Sequence, residues 1–95
     1  MTSALPMQKA AESKLKSLSK AVVLHRTEVR QARERLIEGL GDWMCTSAAP
    51  ATPGDLERFA ALQQAEVDAR ARYARCVLAL SRAVVARAQR PSARK

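Results

Sequence analysis

Cys45-Thr46-Ser47-Ala48-Ala49-Pro50-Ala51-Thr52-Pro53-Gly54 is the one clear breaker in a sequence of 95 residues. Two prolines, a glycine and small polar side chains over so short a distance interrupt any regular element. The flanks on both sides are rich in alanine, leucine, arginine, lysine and glutamate, the better helix formers. This stretch therefore decides how many helices the chain has and how they are joined. Its last part is also a start signal. Thr52 is placed to cap a helix, Pro53 to occupy the first helical position, and Asp55 to put a carboxylate in the positive first turn.

Upstream of the break, Leu15, Leu18, Val22, His25, Val29, Ala32, Leu36, Gly39 and Trp43 recur in alternating steps of three and four, a heptad seam held for four repeats. Pro6 suits a first helical position, and Gly41 is placed to end the helix as its C′ residue. The spacing predicts helix 1 over about 6–44, after a flexible start at residues 1–5. Downstream, Phe59, Leu62, Glu66, Ala69, Tyr73, Cys76, Leu80 and Ala83 repeat the pattern. Helix 2 is predicted over about 53–90, with a loop at about 45–54 before it and a basic tail at 91–95 after Pro91. No stretch alternates as a strand would.

Two long helices around so short a break fold back on each other. The predicted fold is all-α, an antiparallel, coiled-coil-like helical hairpin. Pairing Trp43 with Phe59 sets Leu36 opposite Glu66, Val29 opposite Tyr73, Val22 opposite Leu80, and Leu18 near Val84. A single seam of small side chains seldom stabilises a chain of this size alone, so association into a larger bundle is expected. Cys76 to Ala86 supports this, being apolar nearly all round its helix. The run is about half the roughly twenty residues a bilayer span needs, and it contains Arg82. Val23, Leu24, Ile37, Val77, Leu78 and Val85 lie off the seam and are the candidate partner or oligomer interface. Scattered exposed aliphatics are ordinary on small proteins, but clustering at one level favours an interface.

The net charge of +8 is uneven. Residues 1–20 carry +3 and residues 80–95 carry +5, whereas residues 41–55 carry −2. The hairpin brings both basic ends together at its open end. Lys14, Lys16, Lys20, Arg82, Arg87 and Arg90 are the candidate anion or nucleic-acid contacts there. No aromatic residue lies among them to stack on bases, and basic ends also serve solubility alone. Peripheral contact with anionic membranes is a further alternative, ranked lowest.

The residues that carry chemistry are few. Cys45 and Cys76 would lie roughly 25 Å apart along the hairpin at 1.5 Å per residue, too far for a bridge. Free thiols fit a reducing compartment. His25 and Cys76 share a seam level, but structural zinc takes four ligands and a nucleophile pair needs an orienting group and an oxyanion site. Glu66 is a charge on the seam, within reach of Arg33 or Arg35, and suits a register lock better than an acid catalyst. There is no glycine-rich phosphate loop, metal motif or catalytic triad. The expectation is a non-enzymatic protein without catalytic residues, metal or cofactor. No apolar leader follows the start, so the cytoplasm is the expected location.

In size, in two helices around a short breaker, and in Leu62-Gln63-Gln64 early in helix 2, the chain resembles the small helical-hairpin co-chaperones of type III secretion systems. The resemblance implies a cytoplasmic protein partner and the masking of an aggregation-prone export substrate. WXG-type secreted hairpins also place a tryptophan near the bend, as Trp43 does, but here Cys45 stands where their motif has glycine. The functional expectation is a small adaptor or chaperone-like subunit that packs apolar helix faces on partner helices or on itself. Nucleic-acid binding at the open end is the alternative.

Overall fold

A three-and-four repeat gives each helix one stripe to bury, and the two stripes bury each other. A computed structural model describes residues 4–46 and 49–89, with α1 at Ala4–Thr46 and α2 at Pro53–Gln89. They pack antiparallel as an extended hairpin measuring 73 × 17 × 16 Å. The radius of gyration is 21.3 Å, against about 12 Å for a compact chain of this length. The molecule is a rod. Within its described helices none is long and apolar enough to cross a membrane.

The predicted seam is the observed contact. Every seam position from Leu15 to Trp43 and from Phe59 to Ala83 is buried or half-buried. At the bend, Trp43 meets Phe59 edge to face, with ring centroids 5.7 Å apart and planes at 73°. Further along, Gly39 abuts Leu62, and Arg33 reaches Glu66 at 3.3 Å. Toward the open end, Arg87 pairs with Glu12 at 3.5 Å. Val84 is exposed, and Ala83 holds the seam at that level.

The cap of α2 forms as its sequence dictates. The Thr52 hydroxyl oxygen accepts from the Asp55 N–H at 3.1 Å, and the Thr52 N–H donates to Asp55 Oδ2 at 3.0 Å. This is a capping box closed by aspartate. The Thr52 N–H is the main cause holding the Asp55 carboxyl below its ordinary pKa. Desolvation opposes the effect, while the Thr52 hydroxyl and Arg58 add to it. The indole N–H of Trp43 is buried without a properly formed hydrogen bond, close enough to Asp55 to add a last small pull.

Three boundary expectations need correction. Helix α1 begins at Ala4 rather than Pro6, so Pro6 sits within the first turn, where a missing N–H still costs nothing. Residues 4 and 5 are thus helical, and residues 1–3 lie outside the described residues. Gly41 does not end α1, which runs on to Thr46, and no described glycine has positive φ. The physical reason is tertiary. Trp43 continues the seam onto Phe59, and that packing carries the helix through two glycines that each cost about 1 kcal/mol relative to alanine. Helix α2 is described to Gln89, and the tail at 91–95 lies outside the described residues.

Almost nothing is fully enclosed. Only Ala32, Ala69 and Glu66 are buried among the described residues. The accessible surface is 7512 Å², about 2,000 Å² more than the roughly 5,400 Å² of a compact monomer of this mass.

Candidate protein-interaction face

In an antiparallel pair, the position just off the seam on α1 shares a side with the equivalent position on α2. On α1 that row reads Val23, Arg26, Arg30, Arg33, Ile37, Leu40, Met44, again in steps of three and four. On α2 it reads Leu56, Ala60, Gln63, Val67, Arg70, Ala74, Val77, Ser81, Val84. Between the two rows runs an open groove of about 740 Å³, lined by Arg26, Val29, Arg30, Arg33, Glu34 and Ile37 from α1 and by Arg70, Tyr73 and Ala74 from α2.

Eleven large apolar side chains are exposed among the described residues. Eight of them, Val23, Ile37, Leu40, Met44, Leu56, Val67, Val77 and Val84, belong to these two rows. Ile37 is 63% exposed and Met44 72%. The apolar surface is therefore sorted onto one side of the rod. The groove on the other side is polar, lined by Glu28, Gln31, Arg35 and Arg72 around Ala32, Ala65 and Ala69.

Beneath the apolar side sits Glu66, its side chain 9% exposed. Arg33 reaches it at 3.3 Å and Arg70 at 2.9 Å, so the buried carboxylate is compensated twice. Arg35 lies across the seam and does not take this role. Arg26 and Arg30 make no ion pair among the described residues. The middle of the face is thus cationic and its two ends are apolar.

The candidate interface residues divide. Val23, Ile37 and Val77 lie on this face, whereas Leu24, Leu78 and Val85 are exposed in other directions. Nor do they share one level, because Ile37 is about 21 Å along α1 from Val23 at 1.5 Å per residue. Leu40, Met44, Leu56, Val67 and Val84, which are not among the candidates named from the sequence, also lie on this face. The signal that finds them is the same three-and-four step, started one position off the seam.

Other candidates are dispersed. His25 Nδ1 lies 2.5 Å from Glu28 Oε1, and Arg72 approaches the same carboxylate at 4.0 Å. Cys45 is exposed, Cys76 is half-buried and both are free. No group of three potential metal ligands occurs among the described residues. Lys14, Lys16, Lys20, Arg82 and Arg87 are exposed around the open end. Their register positions ring the rod instead of forming a stripe, with Lys14 and Arg87 bordering one small groove. Arg90 lies outside the described residues.

No family model matches this sequence, and neither a curated protein nor a solved structure matches it.

Proposed function

We propose that this hairpin is a non-enzymatic interaction subunit, a small adaptor or chaperone-like protein that packs one face on partner helices to complete a larger bundle. One observation carries the reading: the rod encloses two alanines and a glutamate, while eight large apolar side chains line one side of it. The excess surface of about 2,000 Å² is more than the roughly 800 Å² that each partner buries in a standard interface. Two free thiols suit a reducing cytoplasmic setting. The likeness to secretion co-chaperones belongs to the same reading, with an export substrate as one kind of partner.

The test is thermal unfolding of the isolated chain at several concentrations, with solution mass by light scattering. The expected result is a shallow, low transition for a monomer, or a midpoint that climbs with concentration where copies cover one another. A monomer that melts cooperatively at or above about 60 °C, independent of concentration, refutes the need for a partner.

Nucleic-acid binding at the open end is a second reading. It is favoured by Lys14, Lys16, Lys20 and Arg82, which are exposed and outside any ion pair among the described residues. Binding to a duplex oligonucleotide that weakens steeply with salt supports it, and indifference to salt refutes it.

A further inference from the structure

The geometry points to an acidic amphipathic helix of a partner protein as the occupant of this face, with carboxylates in its middle turns and apolar side chains toward both ends. This rests on the interaction-subunit reading and names the chemistry of the partner. The argument is charge complementarity along one axis. Arg26, Arg30 and Arg33 follow one another down the α1 row, and Arg70 faces them from α2. They cover about 10 Å, or two helical turns. Toward the bend the face is Ile37, Leu40, Met44, Leu56 and Val67; toward the open end it is Val23, Val77 and Val84. Glu34 is the only carboxylate lining the groove. Glu66 below is already shared by Arg33 and Arg70, and Arg26 and Arg30 stay outside any ion pair among the described residues.

A second copy does not fit this face. A two-fold pairing that lays both apolar ends on apolar ends also lays one arginine cluster on the other. Like charges brought together in a desolvated centre are repulsive. Sliding the copies until only the bend ends overlap frees the arginines but leaves Val23, Val77 and Val84 uncovered. Neither row, from Val23 to Met44 or from Leu56 to Val84, carries a carboxylate, so a two-fold contact through this face has none to set against the arginines. A nucleic acid would use the arginines but leave both apolar patches in water. An acidic helix of about twenty residues satisfies all three zones, since the face from Val23 to Met44 is about 30 Å long.

The experiment uses the full chain and three labelled synthetic peptides of about that length. They share leucines at the terminal apolar positions and carry Glu, Gln or Lys in the middle turns. Anisotropy titration should place the Glu peptide at least tenfold tighter than the Gln peptide, with the Lys peptide weakest, and salt should narrow the gap. The double variant Arg26→Glu/Arg30→Glu should reverse the order of the Glu and Lys peptides with helicity unchanged, because both side chains are exposed. Equal affinity for all three, lost in Ile37→Glu/Leu40→Glu, overturns the acidic partner and leaves the interaction face standing. Binding indifferent to Ile37→Glu/Leu40→Glu overturns the face as well. Three further results overturn the inference. They are no binding of the Glu peptide, tighter binding of a single-stranded oligonucleotide at the same arginines, and a dimer that Ile37→Glu/Leu40→Glu dissociates.

Discussion

Replacing Gly41 and Gly39 by alanine, one at a time, separates what the helix wants from what the seam allows. Both glycines lie inside α1, and each replacement removes the same backbone freedom from the unfolded chain. A Cβ at Gly41 would meet nothing within 4 Å. Gly41→Ala should therefore stabilise by about 0.5–1 kcal/mol, the helical advantage of alanine reduced by nearness to the helix end. A Cβ at Gly39 would lie 2.8 Å from Leu62 Cδ1, closer than such atoms tolerate. The Leu62 methyl must swing aside, at about 0.5–1.5 kcal/mol for a strained rotamer. Gly39→Ala should thus be near neutral or mildly destabilising, and the two variants should differ by about 1 kcal/mol, roughly 4–8 °C in midpoint for a domain of this size. The assay is urea and thermal unfolding by circular dichroism at one fixed protein concentration. Adding Leu62→Ala to both should erase the difference between them. Equal shifts in the two single variants would refute the Gly39–Leu62 contact. Destabilisation by Gly41→Ala would instead restore Gly41 as a left-handed helix terminator.

Other expectations follow from the same contacts. Thr52→Ala removes the hydroxyl half of the α2 cap and should cost about 1 kcal/mol at neutral pH. Because the folded-state pKa of Asp55 is lowered, its stabilisation is full above the ordinary carboxylate range and is lost as pH falls into and below it. Asp55→Asn should flatten that acid limb, and parallel stability profiles would count against the cap. Glu66→Ala should cost about 1–2 kcal/mol by urea unfolding, less than stripping one partner from a fully buried pair, because Arg33 and Arg70 are half-exposed and regain water. Glu66→Leu should be at least as stable as the parent, since leucine extends the apolar seam beside Leu36; a large loss would mean that the triad itself stabilises the fold. Phe59→Leu keeps the seam apolar but loses the edge-to-face contact with Trp43, and should cost about 1 kcal/mol with altered tryptophan emission.

Where the sequence was legible, the reason is period. Leu15 through Trp43 and Phe59 through Ala83 repeat every three and four residues, and in a helix that spacing can mean only one stripe. Thr52, Pro53 and Asp55 were legible because a cap is a local device, complete within four residues of chain. Register, once Trp43 was set on Phe59, put Glu66 within reach of Arg33 or Arg35, and only the packing decided for Arg33. Gly41 misled because its cost is local while the reward that overrides it, Trp43 on Phe59, is supplied by the other helix. Leu24, Leu78 and Val85 are exposed off the seam as expected but face away from the two rows, because nearness in level says nothing about direction around a helix axis.

The sequence by itself determined two helices, their break, their capped start and the stripe each buries, because these depend on neighbours within a turn or two along the chain. Only the tertiary structure decided that two rows just off the seam, one from each helix, face the same way. That sorting puts eight apolar side chains and four arginines on one side of the rod. It is a property of the antiparallel pairing, which neither helix carries alone.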